Sequence, residues 1–200
     1  MDKRIEDQID FIREVDKTKG IFRVTYAVEP GRRENDAEHA WHLAMMTMLL
    51  KEYSNTEINV ERVMKMVIIH DLVEIDAGDT YAYDEEANKT KRQRELKAAE
   101  RIFNLLPSDQ AKELRALWDE FEEAETDDAK FANAMDVLHP VIMNDLGGGL
   151  AWREHSVTEE QARERIARIK PGSLKLFEYC SMLVDRNVKA GNIIPAKTKN

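Results

Sequence analysis

The chain has 200 residues, 42% hydrophobic and 34% charged, with a formal net charge of −9 and a pI near 5.2. That size holds one domain with a full core, and the acidic balance excludes general binding to nucleic-acid polymers or anionic membranes, which need a basic face. A single cysteine, Cys180, excludes an intrachain disulfide and suits a reducing cytosol.

The opening residues Met1-Asp2-Lys3-Arg4-Ile5-Glu6-Asp7 are acidic and lack the apolar run of a signal peptide. Ile5, Ile9, Ile12 and Val15 then line one face of a predicted helix. Lys17 to Arg33 is basic and irregular, with Pro30-Gly31 marking a loop; within it Ile21 to Ala27 is the only strand-like stretch. Asn35 or Asp36 caps a helix from about Ala37 to Tyr53. Its apolar part, Ala40 to Leu50, is too short to span a bilayer and contains His42, so a soluble cytoplasmic protein is expected.

Val60 to about Ile75 reads as one helix, ended by Gly78. Tyr81 to Asn88 reads as a surface loop, and Lys89 to Leu106 as a charged amphipathic helix. Ser108 caps a helix to about Ala124, and Asp127 or Asp128 caps another from Ala129 to about Leu146. Gly147-Gly148-Gly149 follows no strand, so it is a helix stop rather than a phosphate loop. Thr158-Glu159-Glu160-Gln161 is a capping box, and Pro171-Gly172-Ser173 separates its helix from a last one ending near Lys189. No repeat or linker divides the chain. A single all-α domain over residues 1–200 is expected, with a core from about 10 to 185 and a loose tail from about 191 to 200.

The chemistry concentrates in His70-Asp71-Leu72-Val73-Glu74, which follows an apolar run, Met66-Val67-Ile68-Ile69. Burying ionisable groups beside such a run is costly without a partner. His70 and Glu74 at i and i+4 share a helix face, and Asp71 lies about 100° around the axis. His39 near the start of one helix and Asp136 within another complete a set of two imidazoles and two carboxylates. Such a set suits a divalent metal such as Mn²⁺, Co²⁺, Fe²⁺ or Zn²⁺, and it leaves room for water and substrate oxygen. A lone histidine on an apolar helix usually packs or is solvated; the ordered combination His, His-Asp-x-x-Glu, Asp carries the reading.

These residues mark a resemblance. Arg33-Glu34-Asn35-Asp36-Ala37-Glu38-His39, Ile69 to Thr80 and Ala134-Met135-Asp136 resemble the HD-domain phosphohydrolase superfamily, in the branch that includes the 5′-deoxynucleotidases. The resemblance implies a helical bundle around a buried metal, often dimeric. It matches His39, His70, Asp71 and Asp136 to the ligands of one divalent ion (Mn, Co, Fe, Zn, Ni or Mg). It matches Glu74 to the carboxylate that orients or activates water, and Asp79 to a second acidic catalytic position that approaches the sugar. The branch carries an Arg-Trp pair upstream of the first ligand histidine; here Arg23 stands without the Trp. Arg23 is the candidate phosphate clamp, with Lys19 and Lys17 as weaker candidates.

Other readings stay open. His42 positions His39 or packs beside Trp41. His139, at i+3 from Asp136, adds a ligand or a hydrogen-bond donor. His155 is surface. Tyr81 and Tyr83 are candidates for a pocket wall. The expected function is hydrolysis of a small phosphomonoester such as a (deoxy)nucleoside 5′-monophosphate. The alternatives are a phosphodiesterase or pyrophosphohydrolase acting on a signalling nucleotide, and a non-catalytic nucleotide-sensing module. The expected partner is a small phosphorylated substrate, with no nucleic-acid polymer and no membrane; a homodimer is implied by the resemblance alone.

Overall fold

Helices built on the apolar periodicities described above dominate the computed structural model, which describes residues 2–26, 31–80 and 85–196. They are α1 (Lys3–Val15), α2 (Asp36–Leu50), α3 (Val60–Ile69), α4 (Glu74–Ala77), α5 (Glu85–Phe103), α6 (Ser108–Glu123), α7 (Asp127–Leu146), α8 (Leu150–Glu154), α9 (Glu159–Ala167) and α10 (Leu174–Lys189). A small antiparallel pair, β1 (Phe22–Tyr26) and β2 (Arg33–Asn35), interrupts them, with Phe22 opposite Asn35 and Tyr26 opposite Arg33. Sequence composition marked β1 and missed β2, whose charged residues carry no strand signal.

The helix at the centre is α7. It is buried nearly all round, with Phe131, Met135, Leu138 and His139 all inaccessible or almost so, and it packs against α2, α3, α6 and α10. Helices hydrophobic on every side are core helices. Gly172 lets the loop before α10 close on α7: a Cβ there would sit 2.4 Å from the Lys130 carbonyl oxygen. Thr126, not Asp127 or Asp128, caps α7, accepting the Ala129 N–H at 3.2 Å. Ser108 is likewise the first residue of α6 rather than its cap.

The expected single helix over 60–75 is broken. α3 ends at Ile69, His70–Val73 forms a 3₁₀ turn, and α4 restarts at Glu74. The cause lies in the side chains. His70 Nδ1–H donates to the Val67 carbonyl at 2.8 Å, and the fully buried Trp118 donates its indole N–H to the His70 carbonyl at 3.1 Å. Both bonds draw carbonyls away from the helical ladder. Gly78 then ends α4 at φ +74°, a conformation open to glycine.

The face of α1 marked by Ile5, Ile9, Ile12 and Val15 is largely uncovered: Ile5 and Ile12 are 55% and 62% exposed, while Phe11 and Val15 of that helix pack on the core. Polar bonds hold α1 instead, with Arg4 forked on Asp109 at 2.8 Å and Gln8 on Gln110 at 2.7 Å. The chain past Gly191 does not begin loose. Ile193 is 1% exposed, and Ile194 bridges Thr158 through the Val157 carbonyl (3.0 Å) and the Glu159 N–H (2.8 Å). No helix among the described residues is long and apolar enough to cross a membrane.

Candidate functional site

Local structure delivers each candidate ligand. Asn35 and Glu38 close a reciprocal capping box, at 3.0 and 3.2 Å, that fixes the start of α2 and sets His39 in its first turn. The 3₁₀ turn presents His70 and Asp71 together. α7 presents Asp136, four residues before Pro140; the proline has no N–H, so the Asp136 carbonyl lacks its helical donor.

These four side chains converge. His39 Nε2 lies 3.1 Å from Asp136 Oδ1 and 3.9 Å from Asp71 Oδ2. His70 Nε2 lies 3.0 Å from Asp71 Oδ2 and 3.7 Å from Asp136 Oδ1. Donors bound to one cation at about 2.0–2.2 Å stand roughly 3–3.5 Å apart; two of these separations fall in that range, two are slightly wider, and His39, His70 and Asp136 each offer an atom within 4.8 Å of the others, so a small inward shift would close the group on one ion. Both imidazoles are buried, whereas the side chains of Asp71 and Asp136 are 16% exposed, which leaves one side of the cluster open. His70 Nε2 is the decisive atom. It is buried without a well-directed hydrogen bond despite its 3.0 Å approach to Asp71, and its Nδ1 already carries the proton given to Val67. Its lone pair faces the cluster and suits a metal.

The electrostatics agree. Burial works against charge on His70, yet Asp71 and Asp136 hold its pKa well above the usual imidazole value. The positive charge they demand is what a divalent cation supplies. Asp71 and Asp136 are held well below the usual carboxylate range, against burial, by His70 and Arg23 in the first case and by His39 and His70 in the second. Glu74 is pushed well above its ordinary value by burial and by Asp71 and Asp36. Asp36 is pushed to about 7 by burial and Asp71, with Arg23 opposing.

Arg23, on β1, enters the same site. It donates to Asp71 at 2.5 Å and to Asp36 at 3.5 Å, and reaches Asp136 at 4.0 Å. Asp79 lines the same cleft, with a pKa raised by burial and Asp71 against Arg23. Arg94 holds the turn that presents Asp79, donating to the Ala77 carbonyl and to Thr80 Oγ1 (3.0 Å).

Lys19 does not join them: it is exposed and ion-paired with Asp16. Lys17 is likewise on the surface, paired with Glu14 at 2.7 Å. Tyr81 and Tyr83 lie outside the described residues. Lys91 on α5, Arg165 on α9 and Arg168 just past the end of α9 line the cleft instead, with Arg165 Nη2 at 3.7 Å from Asp136 Oδ2. Trp152 of α8 forms part of the wall, an aromatic group where the residue after Arg23 is Val24. Sequence reasoning missed Arg165 and Arg168 because an Arg-x-x-Arg spacing on a charged helix looks like a solvated face, and Lys91 and Trp152 because nothing local in their sequence points to the cleft. Arg23, Lys91, Arg165 and Arg168 share this cleft with Asp71, Glu74, Asp79 and Asp136, so its formal charges balance; with a divalent cation on the carboxylates, the remaining cations would favour an anionic ligand.

The chain is 31% identical over 135 residues to the human 5′-deoxynucleotidase HDDC2, an alignment covering 67% of this chain and 65% of the human protein. It is 32% identical over 107 residues to the 5′-deoxynucleotidase hdd1 of Schizosaccharomyces pombe, covering 52% of each. The crystal structure of a predicted metal-dependent phosphohydrolase from Magnetospirillum magnetotacticum MS-1 superposes with a TM-score of 0.92 at 47% identity, covering 96% of both chains. The HD domain profile matches residues 15–176, spanning His39, His70, Asp71 and Asp136; the chain belongs to the HD domain family.

Proposed function

We propose that this chain is a divalent-metal-dependent phosphohydrolase that cleaves a nucleoside 5′-monophosphate, most favourably a deoxynucleotide, to nucleoside and phosphate. The carrying observation is the convergence of His39, His70, Asp71 and Asp136, with the unpartnered His70 Nε2, at the floor of a cation-lined cleft. The names borne by the human and S. pombe relatives support the substrate class.

His39, His70, Asp71 and Asp136 would hold the ion; their mixed nitrogen and oxygen donors suit Mn²⁺, Co²⁺, Fe²⁺ or Zn²⁺. A divalent cation there supplies Lewis acidity and brings the pKa of water toward neutrality. Glu74, buried beside Asp71, orients the attacking water and takes its proton. Arg23 neutralises the phosphoryl oxygens, a role suited to its planar fork. Water oxygen joins phosphorus, the bond from phosphorus to the ester oxygen breaks, and that oxygen leaves as the nucleoside hydroxyl with the proton that Glu74 took from water. Asp79 approaches the sugar, while Trp152 and the α9 arginines receive the rest of the nucleotide.

The same reading makes residues 1–200 one HD domain working in the cytoplasm, where the buried thiol of Cys180 stays reduced. A homodimer is part of the proposal, supported by apolar residues left exposed on α2 and α10, such as Leu49 and Met182.

Phosphate release tests the activity, using ribo- and deoxyribonucleoside 5′-monophosphates and protein stripped and reloaded with Mn²⁺, Co²⁺, Mg²⁺ or Zn²⁺. Asp71→Ala is expected to lose metal and turnover together, and Glu74→Gln to keep metal and lose turnover. Full turnover by metal-free Asp71→Ala would refute the mechanism; no release with any metal would move the substrate to a diester or pyrophosphate.

A further inference from the structure

Behind His39, on the side away from the cleft, lies a second group of titratable side chains. His39 Nδ1 is 3.1 Å from His139 Nδ1. His139 Nε2 is 3.1 Å from His42 Nδ1 and 3.4 Å from Glu34 Oε1. Glu34 Oε2 stands 3.6 Å from His39 Nδ1. Glu34 and His139 are buried, whereas the His42 side chain is 41% exposed. The group therefore runs from the candidate ligand to solvent.

Two arrangements use these atoms: a second cation among Glu34, His39 and His139, or a directed chain of hydrogen bonds. Proton counting separates them. A neutral imidazole has one N–H and one lone pair. If His39 ligates through Nε2, its proton sits on Nδ1, facing His139 Nδ1. That atom must then accept, so the proton of His139 sits on Nε2, facing Glu34 Oε1 and His42 Nδ1. A second cation bound by His139 Nε2 would force its proton onto Nδ1 and set two N–H groups against each other at 3.1 Å. A second cation on His39 Nδ1 would need that ring stripped of both protons. The directed chain needs neither.

We propose that His139, held by Glu34 and His42, is a positioning residue for His39: it accepts the His39 Nδ1 proton and keeps the Nε2 lone pair aimed at the cation. A carboxylate commonly fills this role beside a metal-bound histidine; here an imidazole stands between carboxylate and ligand. The inference rests on the metal reading proposed above.

Calorimetric Zn²⁺ titration of the full chain tests it, with His139→Leu, which removes the acceptor, and His139→Asn, whose amide oxygen lies near the lost Nδ1. The leucine variant is expected to bind about 10–100-fold more weakly, still at one ion per chain, and asparagine to restore most of the loss. In the zinc-loaded wild type, ¹⁵N imidazole spectra should place the His39 proton on Nδ1 and the His139 proton on Nε2. This second readout stands even if neither variant folds. Wild-type affinity in His139→Leu, a His139 proton on Nδ1, or two zinc ions per chain would each overturn the proposal. A wild-type chain that binds no divalent ion would instead overturn the metal reading itself.

Discussion

Trp118 joins the core to the candidate site, and Trp118→Phe tests that link. The indole is fully buried and is the donor to the His70 carbonyl at 3.1 Å. Its ring also carries Arg92 and Arg115 on its faces, at 5.0 and 5.4 Å from guanidinium carbon to centroid. Phenylalanine keeps a ring but removes the donor; the carbonyl still closes the 3₁₀ turn over His70–Val73, so the loss is that of one hydrogen bond, about 0.5–1.5 kcal/mol. The smaller ring leaves a cavity worth roughly 1 kcal/mol. Weaker cation–π contact adds a few tenths, since Phe is a poorer partner than Trp. A total near 2 kcal/mol lowers the midpoint of a domain this size by roughly 4–8 °C. Thermal unfolding of metal-stripped protein measures this term free of ligand linkage. The carbonyl belongs to the first residue of the 3₁₀ turn, so metal affinity should fall as well. A stripped variant melting within about 2 °C of wild type, with unchanged Zn²⁺ affinity, would refute the reasoning.

Arg165→Ala should raise KM for nucleotide about 10–100-fold, the loss of one charge-assisted hydrogen bond, while Lys19→Ala, altering a surface pair with Asp16, should leave steady-state kinetics unchanged; the reverse pattern would put the anion site on the wrong side of the molecule. Ile193→Ala should destabilise by about 2–4 kcal/mol, because the side chain is 1% exposed and Ile-to-Ala changes in cores cost that much. A chemical denaturation midpoint equal to wild type would show that the segment after Gly191 carries no load.

What the sequence made legible was what repeats locally. Helix periodicity, the Thr158–Gln161 capping box and the Gly78 stop are short-range signals, and each appears in the structure. The candidate site was legible where its residues are consecutive or carry a family pattern: His39, His70 and Asp136 form one group of candidate ligands, and Asp71 and Glu74 belong to a second with Asp36. What stayed hidden depends on contacts distant in sequence. The break at His70 needs Trp118, 48 residues later. The anion-binding side needs α9 folded over α7, which brings Arg165 to Asp136. Lys19 looked plausible because it is close to Arg23 in the chain, but strand β1 carries Arg23 inward while Lys19 stays in the preceding 3₁₀ turn. The isoleucines of α1 show the opposite failure: periodicity identified a face but not whether anything covers it.

The distribution of unsatisfied polar atoms ties these threads together. Among the described residues, the buried side-chain atoms without a hydrogen-bond partner are Arg23 Nε, Glu34 Oε2, Asp36 Oδ2, Thr47 Oγ1, His70 Nε2 and Glu74 Oε2. All but the Thr47 hydroxyl belong to the candidate site or to the group behind His39. Each such atom costs about 1–3 kcal/mol, more if charged, and folded proteins tolerate few of them. A fold selected for stability alone would scatter or remove them. Here the apolar faces of α3 and α7 form the floor on which they gather, so the core supplies the stability that the site consumes. The unsatisfied set is also chemically matched: a lone pair on His70 and carboxylate oxygens on Asp36 and Glu74 face a guanidinium from Arg23. That combination accepts a cation and an anionic oxygen side by side, which is the requirement of metal-assisted phosphoryl transfer to water.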